Sequence, residues 1–106
     1  MKLQTKNSLN KIKEEVKMVG SYSELKQLDV EATRIFDEAF KDLLGVHYEP
    51  LLVQSQVVAG TNLRYICNAS PVVPNPEKYG VIVNVWVKPN GEIQRGNIIK
   101  LNDIEN

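Results

Sequence analysis

Cysteine occurs once, at Cys67, so no intrachain disulfide can form and stability has to come from burial. Histidine also occurs once, at His47, beside Val46 and Tyr48. A general base needs a positioned partner, and no constellation around His47 supplies one, so no catalytic residue is assigned. Cys67 alternates with apolar neighbours and reads as a small core residue rather than a nucleophile. Ligands at metal-binding spacing are lacking too, so no metal and no cofactor is expected. Long hydrophobic runs are missing: nothing approaches a membrane span, and the first twenty residues hold no apolar block of signal-peptide length. Charge of one sign is also missing. The 13 Lys and Arg balance 13 Asp and Glu, which leaves no global field to draw the chain to nucleic acid or to an anionic membrane.

What is present is an ordinary globular mixture, 42% apolar and 25% charged, over 106 residues, enough for one core and not for two. The charge is uneven, with a mildly basic stretch over 1–20 and an acidic one over 21–50. In the first segment, Leu9, Ile12, Val16 and Val19 recur at helical spacing, with Lys11, Lys13, Glu14, Glu15 and Lys17 between them. This is a short amphipathic pattern that needs something to pack on. Residues 1–17 therefore read as an N-terminal extension, either a short helix or a disordered arm, and residues 18–106 as the domain proper.

Ser21-Tyr22-Ser23-Glu24 has the form of a capping box. Leu25, Leu28, Ala32, Ile35, Phe36, Ala39, Phe40 and Leu43 then follow at three- and four-residue steps, and Gly45 offers a stop. The spacing predicts one long amphipathic helix over 21–44. Extended patterns follow over 48–58, 62–69, 79–88 and 92–101. Pro71-Val72-Val73-Pro74-Asn75-Pro76 separates the second pattern from the third as a loop, and Pro89-Asn90-Gly91 separates the third from the fourth as a turn. One helix followed by four strands implies an α+β fold, an antiparallel sheet of four to five strands with the long helix on its apolar face. Two connections, 57–61 and 89–91, fall at one end of such a sheet, and the proline-rich loop falls at the other.

The first of those connections is unusual. In Gln54-Ser55-Gln56-Val57-Val58-Ala59-Gly60-Thr61, two β-branched apolar residues stand where a hairpin normally carries Asn-Gly or Pro. Either the valines fold back onto the core, or they are held out as an apolar surface for a partner.

Gln56-Val57-Val58-Ala59-Gly60 resembles the Gln-x-Val-x-Gly motif of the cystatins, protein inhibitors of papain-like cysteine proteases. Met18-Val19-Gly20 is similar to the apolar pair and glycine that precede that family's helix. Lys88-Pro89-Asn90-Gly91 falls where the family's second binding loop lies. The resemblance covers about residues 18–101 and is closest to the single-domain, disulfide-free stefin-type members. It implies a sheet wrapped around the long helix. It also implies inhibition without chemistry: a wedge of three segments enters the protease cleft, here Met18, Val19 and Gly20, then Gln56, Val57, Val58, Ala59 and Gly60, then Pro89 and Asn90. Under it Gln56 would hold the loop's shape, Gly20 would act as a hinge, and the complex would be tight and reversible. The stefin-type likeness further implies a cytoplasmic protein, with secretion the alternative had a leader been removed. It implies a monomer for which exchange of the helix and flanking strands is the route to a domain-swapped dimer.

Two departures bear on affinity. Many cystatins carry Pro-Trp in the second loop where this chain has Pro89-Asn90, and Gly20 is followed by Ser21 rather than by a second glycine. The rival from another class is a cystatin-fold binding or self-associating module with no protease target, since fold does not fix function. Trp86 reads as a packing residue on a strand face. The Asn68-Ala69-Ser70 sequon is followed by Pro71 and reads as unused.

Overall fold

The structure, a computed structural model, describes residues 22–101. The segments read at 1–17 and at Met18-Val19-Gly20 lie outside the described residues. One helix, α1 (Val30–Phe40), precedes four strands: β1 (Val46–Val58), β2 (Gly60–Pro71), β3 (Tyr79–Val87) and β4 (Ile93–Lys100). The strands form one antiparallel sheet in the order β1-β2-β3-β4, so every connection is a hairpin between neighbours. This is the α+β architecture expected from the sequence. None of the helices among the described residues is long and apolar enough to cross a membrane.

The helix is shorter than its apolar spacing predicts, 11 residues instead of the stretch 21–44. Its N-cap is Asp29, whose Oδ1 accepts the Ala32 amide at 2.8 Å, and Thr33 Oγ1 donates to the Asp29 carbonyl at 2.9 Å. Residues 22–28 run extended instead. Lys26 and Val53 exchange backbone hydrogen bonds at 2.9 and 2.8 Å, and the Ser23 amide donates to the Ser55 carbonyl at 2.7 Å. At the other end, the helix stops at Phe40 and leaves Leu43 and Leu44 in the connection to β1. Gly45, at φ +89°, immediately precedes β1, and its carbonyl accepts the Val72 amide at 3.0 Å.

The core lies between α1 and one face of the sheet. Ala32, Ile35, Phe36 and Ala39 of the helix meet Val53, Leu63, Tyr65, Cys67, Ala69, Val81, Val83 and Val85, the alternate residues of the strands. Phe36 stacks on Phe40 and meets Tyr65 edge-on, with ring centroids 4.3 and 5.0 Å apart. The Tyr65 hydroxyl donates to the Ala32 carbonyl at 2.7 Å. Arg95 on β4 reaches under the helix end to donate to the Ala39 carbonyl at 2.7 Å. On the opposite face, the register aligns Leu52, Ile66, Ile82 and Ile99 in one row across all four strands, and Leu25 and Leu101 also pack on Ile66.

Burial raises the Tyr65 phenol first of all, with the neighbouring Cys67 adding to the shift. The Cys67 thiol is pushed up to about 12 by burial. A thiol reagent attacks the thiolate, so at pH 8 Cys67 should be silent in the folded domain and titrate fully in guanidinium. Rapid labelling of the native protein would contradict this placement. The sign of the linkage follows: above the thiol's ordinary range the unfolded chain ionises while the folded one keeps its proton, so this group lowers stability as pH rises towards 12.

Candidate functional site

The sheet brings the 57–61 and 89–91 connections together. Because Thr61 pairs with Val87, the tip of the β1–β2 hairpin lies directly beside the start of the β3–β4 turn. The first tip is very tight, with Val58 paired to Gly60 and only Ala59 between them. Its demanding backbone angle falls on Gly60, at φ +84°, and neither valine has a positive φ. The valines therefore end a regular strand.

Val57 is 86% exposed and Val58 41% exposed. They do not fold back onto the core. A β-branched pair held in water at the end of a long strand is a poor arrangement for solubility alone. The turn behind them is held by several contacts. Asn62 Nδ2 donates to Gln56 Oε1 at 3.0 Å, a bond between two residues paired across the hairpin. Trp86 Nε1 donates to the Ala59 carbonyl at 2.9 Å. Gly60 packs so closely on the second hairpin that a Cβ there would overlap the Val87 carbonyl oxygen, with the Lys88 carbonyl carbon at 3.0 Å and Pro89 N at 3.1 Å.

The second loop is closed by its own hydrogen bonds. The Gly91 amide donates to the Lys88 carbonyl and the Lys88 amide to the Glu92 carbonyl, both at 2.8 Å. Asn90 Oδ1 accepts the Glu92 amide at 2.9 Å, so Asn90 stabilises the turn it occupies. Pro89 and Asn90 themselves are exposed.

Residues 22–26 run alongside β1. Read backwards from Lys26 to Tyr22, the bridged chain runs along β1 from Val53 towards Val57. A polar row on the outer face fixes it there. Gln54, only 1% exposed, donates from Nε2 to the Ser23 carbonyl at 2.7 Å and accepts from Arg64 Nη1 at 3.2 Å. The Arg64 guanidinium lies 3.9 Å from the centre of the Tyr22 ring. Local patterning gave no sign of this row, because Gln54, Arg64 and Asn84 are brought into one line only by the register of three strands. The described residues thus begin, at Tyr22, beside the half of β1 that is nearer the two tips.

His47 lies near the other end of the sheet, opposite Ser70, away from both tips. Among the described residues no group of His, Cys, Asp and Glu is placed to hold a metal ion. The arrangement places two exposed hairpin connections side by side at one end of the sheet. Compared with protein-family models, curated proteins and solved structures, the chain matches none.

Proposed function

We propose that this domain is a reversible, tight-binding inhibitor of papain-like cysteine proteases, occluding the active-site cleft with the chain ahead of Tyr22, the tip at Gln56 to Gly60 and the turn at Pro89 and Asn90. One observation carries the reading: the exposed Val57-Val58 tip and the Pro89-Asn90 turn stand side by side at one end of the sheet. Two adjacent tips make an edge that fits a cleft rather than a flat surface. The valines suit such a role, since their few rotamers leave little side-chain entropy to lose on burial. Met18, Val19 and Gly20 complete the wedge in this reading, and the likeness to stefin-type members favours a cytoplasmic monomer.

Papain titrated with the protein over a fluorogenic substrate is the direct test. Activity should fall to zero near equimolar protein, with serine and aspartic proteases untouched. Val57→Asn should weaken binding by roughly 1.5–3 kcal/mol, the contribution of one well-buried valine, while leaving the free domain as stable as the parent. Stability is spared because Val57 is 86% exposed there. Full papain activity at micromolar protein would overturn the reading and leave the binding module in its place. That second reading has its own support in Leu44, Val72 and Val73, exposed near the opposite end of the sheet.

A further inference from the structure

Resting on the inhibitor reading, we infer that Trp86 is a positioning residue: its indole N–H, anchored on the second hairpin, holds the Ala59 carbonyl and so sets where the Val57-Val58 tip stands relative to Pro89. The register places Trp86 in an outer-face row with Asn62 on one side and Gln94 on the other, clear of the helix and the core. Its pyrrole nitrogen is a donor only, and it reaches 2.9 Å to the carbonyl at the very tip of the neighbouring hairpin. The next residue, Val87, presents its carbonyl oxygen to Gly60. Two successive residues of β3 therefore hold the β1–β2 tip, one by a hydrogen bond and one by close packing. Lys88 Nζ sits 5.6 Å from the centre of the indole ring, which ties the ring to the second loop as well.

Hairpin tips with few buried contacts are the parts of a domain that open most easily. If the tip is in its binding position for only a fraction of the time, affinity falls by that fraction. Without the indole bond, the ratio of placed to displaced tip should drop about 3- to 10-fold, the range set by one partly exposed hydrogen bond, and the fraction by up to that factor. The effect should fall mainly on association, because the bound contacts themselves remain.

Trp86→Phe keeps an aromatic ring on β3 and removes only the N–H. Three readouts decide the matter. Nitrogen relaxation of the Val57, Val58, Ala59 and Gly60 amides in the free protein should show new motion confined to the tip. The thermal midpoint should fall by no more than the few degrees that one hydrogen bond accounts for. The association rate with papain should fall, by up to about 10-fold. A ring that merely packs would lower the midpoint too, but leave the tip amides no more mobile than the rest of the sheet. Hydrogen exchange of the indole N–H in the parent protein is a further arm that needs no variant: it should be slow, and exchange as fast as a free indole overturns the inference. Unchanged tip motion in Trp86→Phe overturns it as well. Should the parent leave papain active, the inhibitor reading fails, while the relaxation and exchange results still decide what Trp86 does to the tip.

Discussion

Gly60→Ala should abolish useful inhibition while leaving a folded, less stable domain. Two effects add at this position. The backbone sits at φ +84°, where an L-residue loses about 1–2 kcal/mol. The added Cβ would overlap the Val87 carbonyl oxygen, a backbone atom in a paired strand with no side-chain freedom to move aside. Relief has to come from a shift of the whole tip away from β3, which separates Val57 and Val58 from Pro89. If both valines then miss their subsites, the loss is about 3–6 kcal/mol, at roughly 1.5–3 kcal/mol for each. That is on the order of 100- to 10,000-fold in affinity. Gly91→Ala is the control. Gly91 has a similar φ, +91°, but nothing within 4 Å of its Cβ position, so it carries the backbone strain without the collision. Dissociation constants for the two variants with an active-site-blocked papain, beside their thermal midpoints, separate strain from displacement. Equal losses in both would show that close packing of the two hairpins has no part in binding.

The strands and hairpins were legible because their signals are local. Period-two alternation over 62–69 and 79–88 and turn residues at 89–91 place β2, β3 and the second turn within two residues of where they lie. The start of the helix was not legible, and the reason is physical. Leu25 and Leu28 are three residues apart, a spacing that puts them on one face of a helix. In extended chain the same spacing sends them to opposite faces, and that is what happens: Leu25 joins Ile66 on the outer face and Leu28 joins the core under α1. Both states bury both leucines, so hydrophobic patterning cannot choose between them. Pairing of Lys26 with Val53 decides it, and that is a contact between distant parts of the chain. The Ser-x-x-Glu pattern at 21–24 was a competing local signal, and Asp29 took the cap instead. Of the candidate site, the exposed tip and its neighbouring turn could be placed from sequence. The means of holding them could not, because Trp86 meets Ala59 and Gly60 meets Val87 across two hairpins whose registers are tertiary facts.

Asn90→Trp should tighten binding, and the closed second loop makes the size of the effect a contest between two terms. The substitution removes the hydrogen bond from the Glu92 amide to Asn90 Oδ1. That bond is exposed, the amide can turn to water, and its loss costs about 0.5–1 kcal/mol. The loop retains its other closures, from the Gly91 amide to the Lys88 carbonyl and from the Lys88 amide to the Glu92 carbonyl, so the turn should survive. Against this, an indole at an exposed turn tip can bury roughly 150–250 Å² in a cleft. Aromatic anchors of that kind contribute about 2 kcal/mol or more, even after about 0.5–1.5 kcal/mol of lost rotamer freedom. The anchor wins by about 1–2 kcal/mol, a gain of roughly 5- to 30-fold that should appear as slower dissociation. Asn90→Ala loses the turn bond and gains no anchor, so it should weaken binding a few-fold at most, while Asn90→Asp, which keeps an acceptor at Oδ1, should match the parent. Dissociation rates from papain for the four proteins distinguish the two terms. If Asn90→Ala costs more than about tenfold and Asn90→Trp costs as much, the hydrogen-bonded turn itself is what the protease reads, and Asn90 is then a contact rather than a missing anchor.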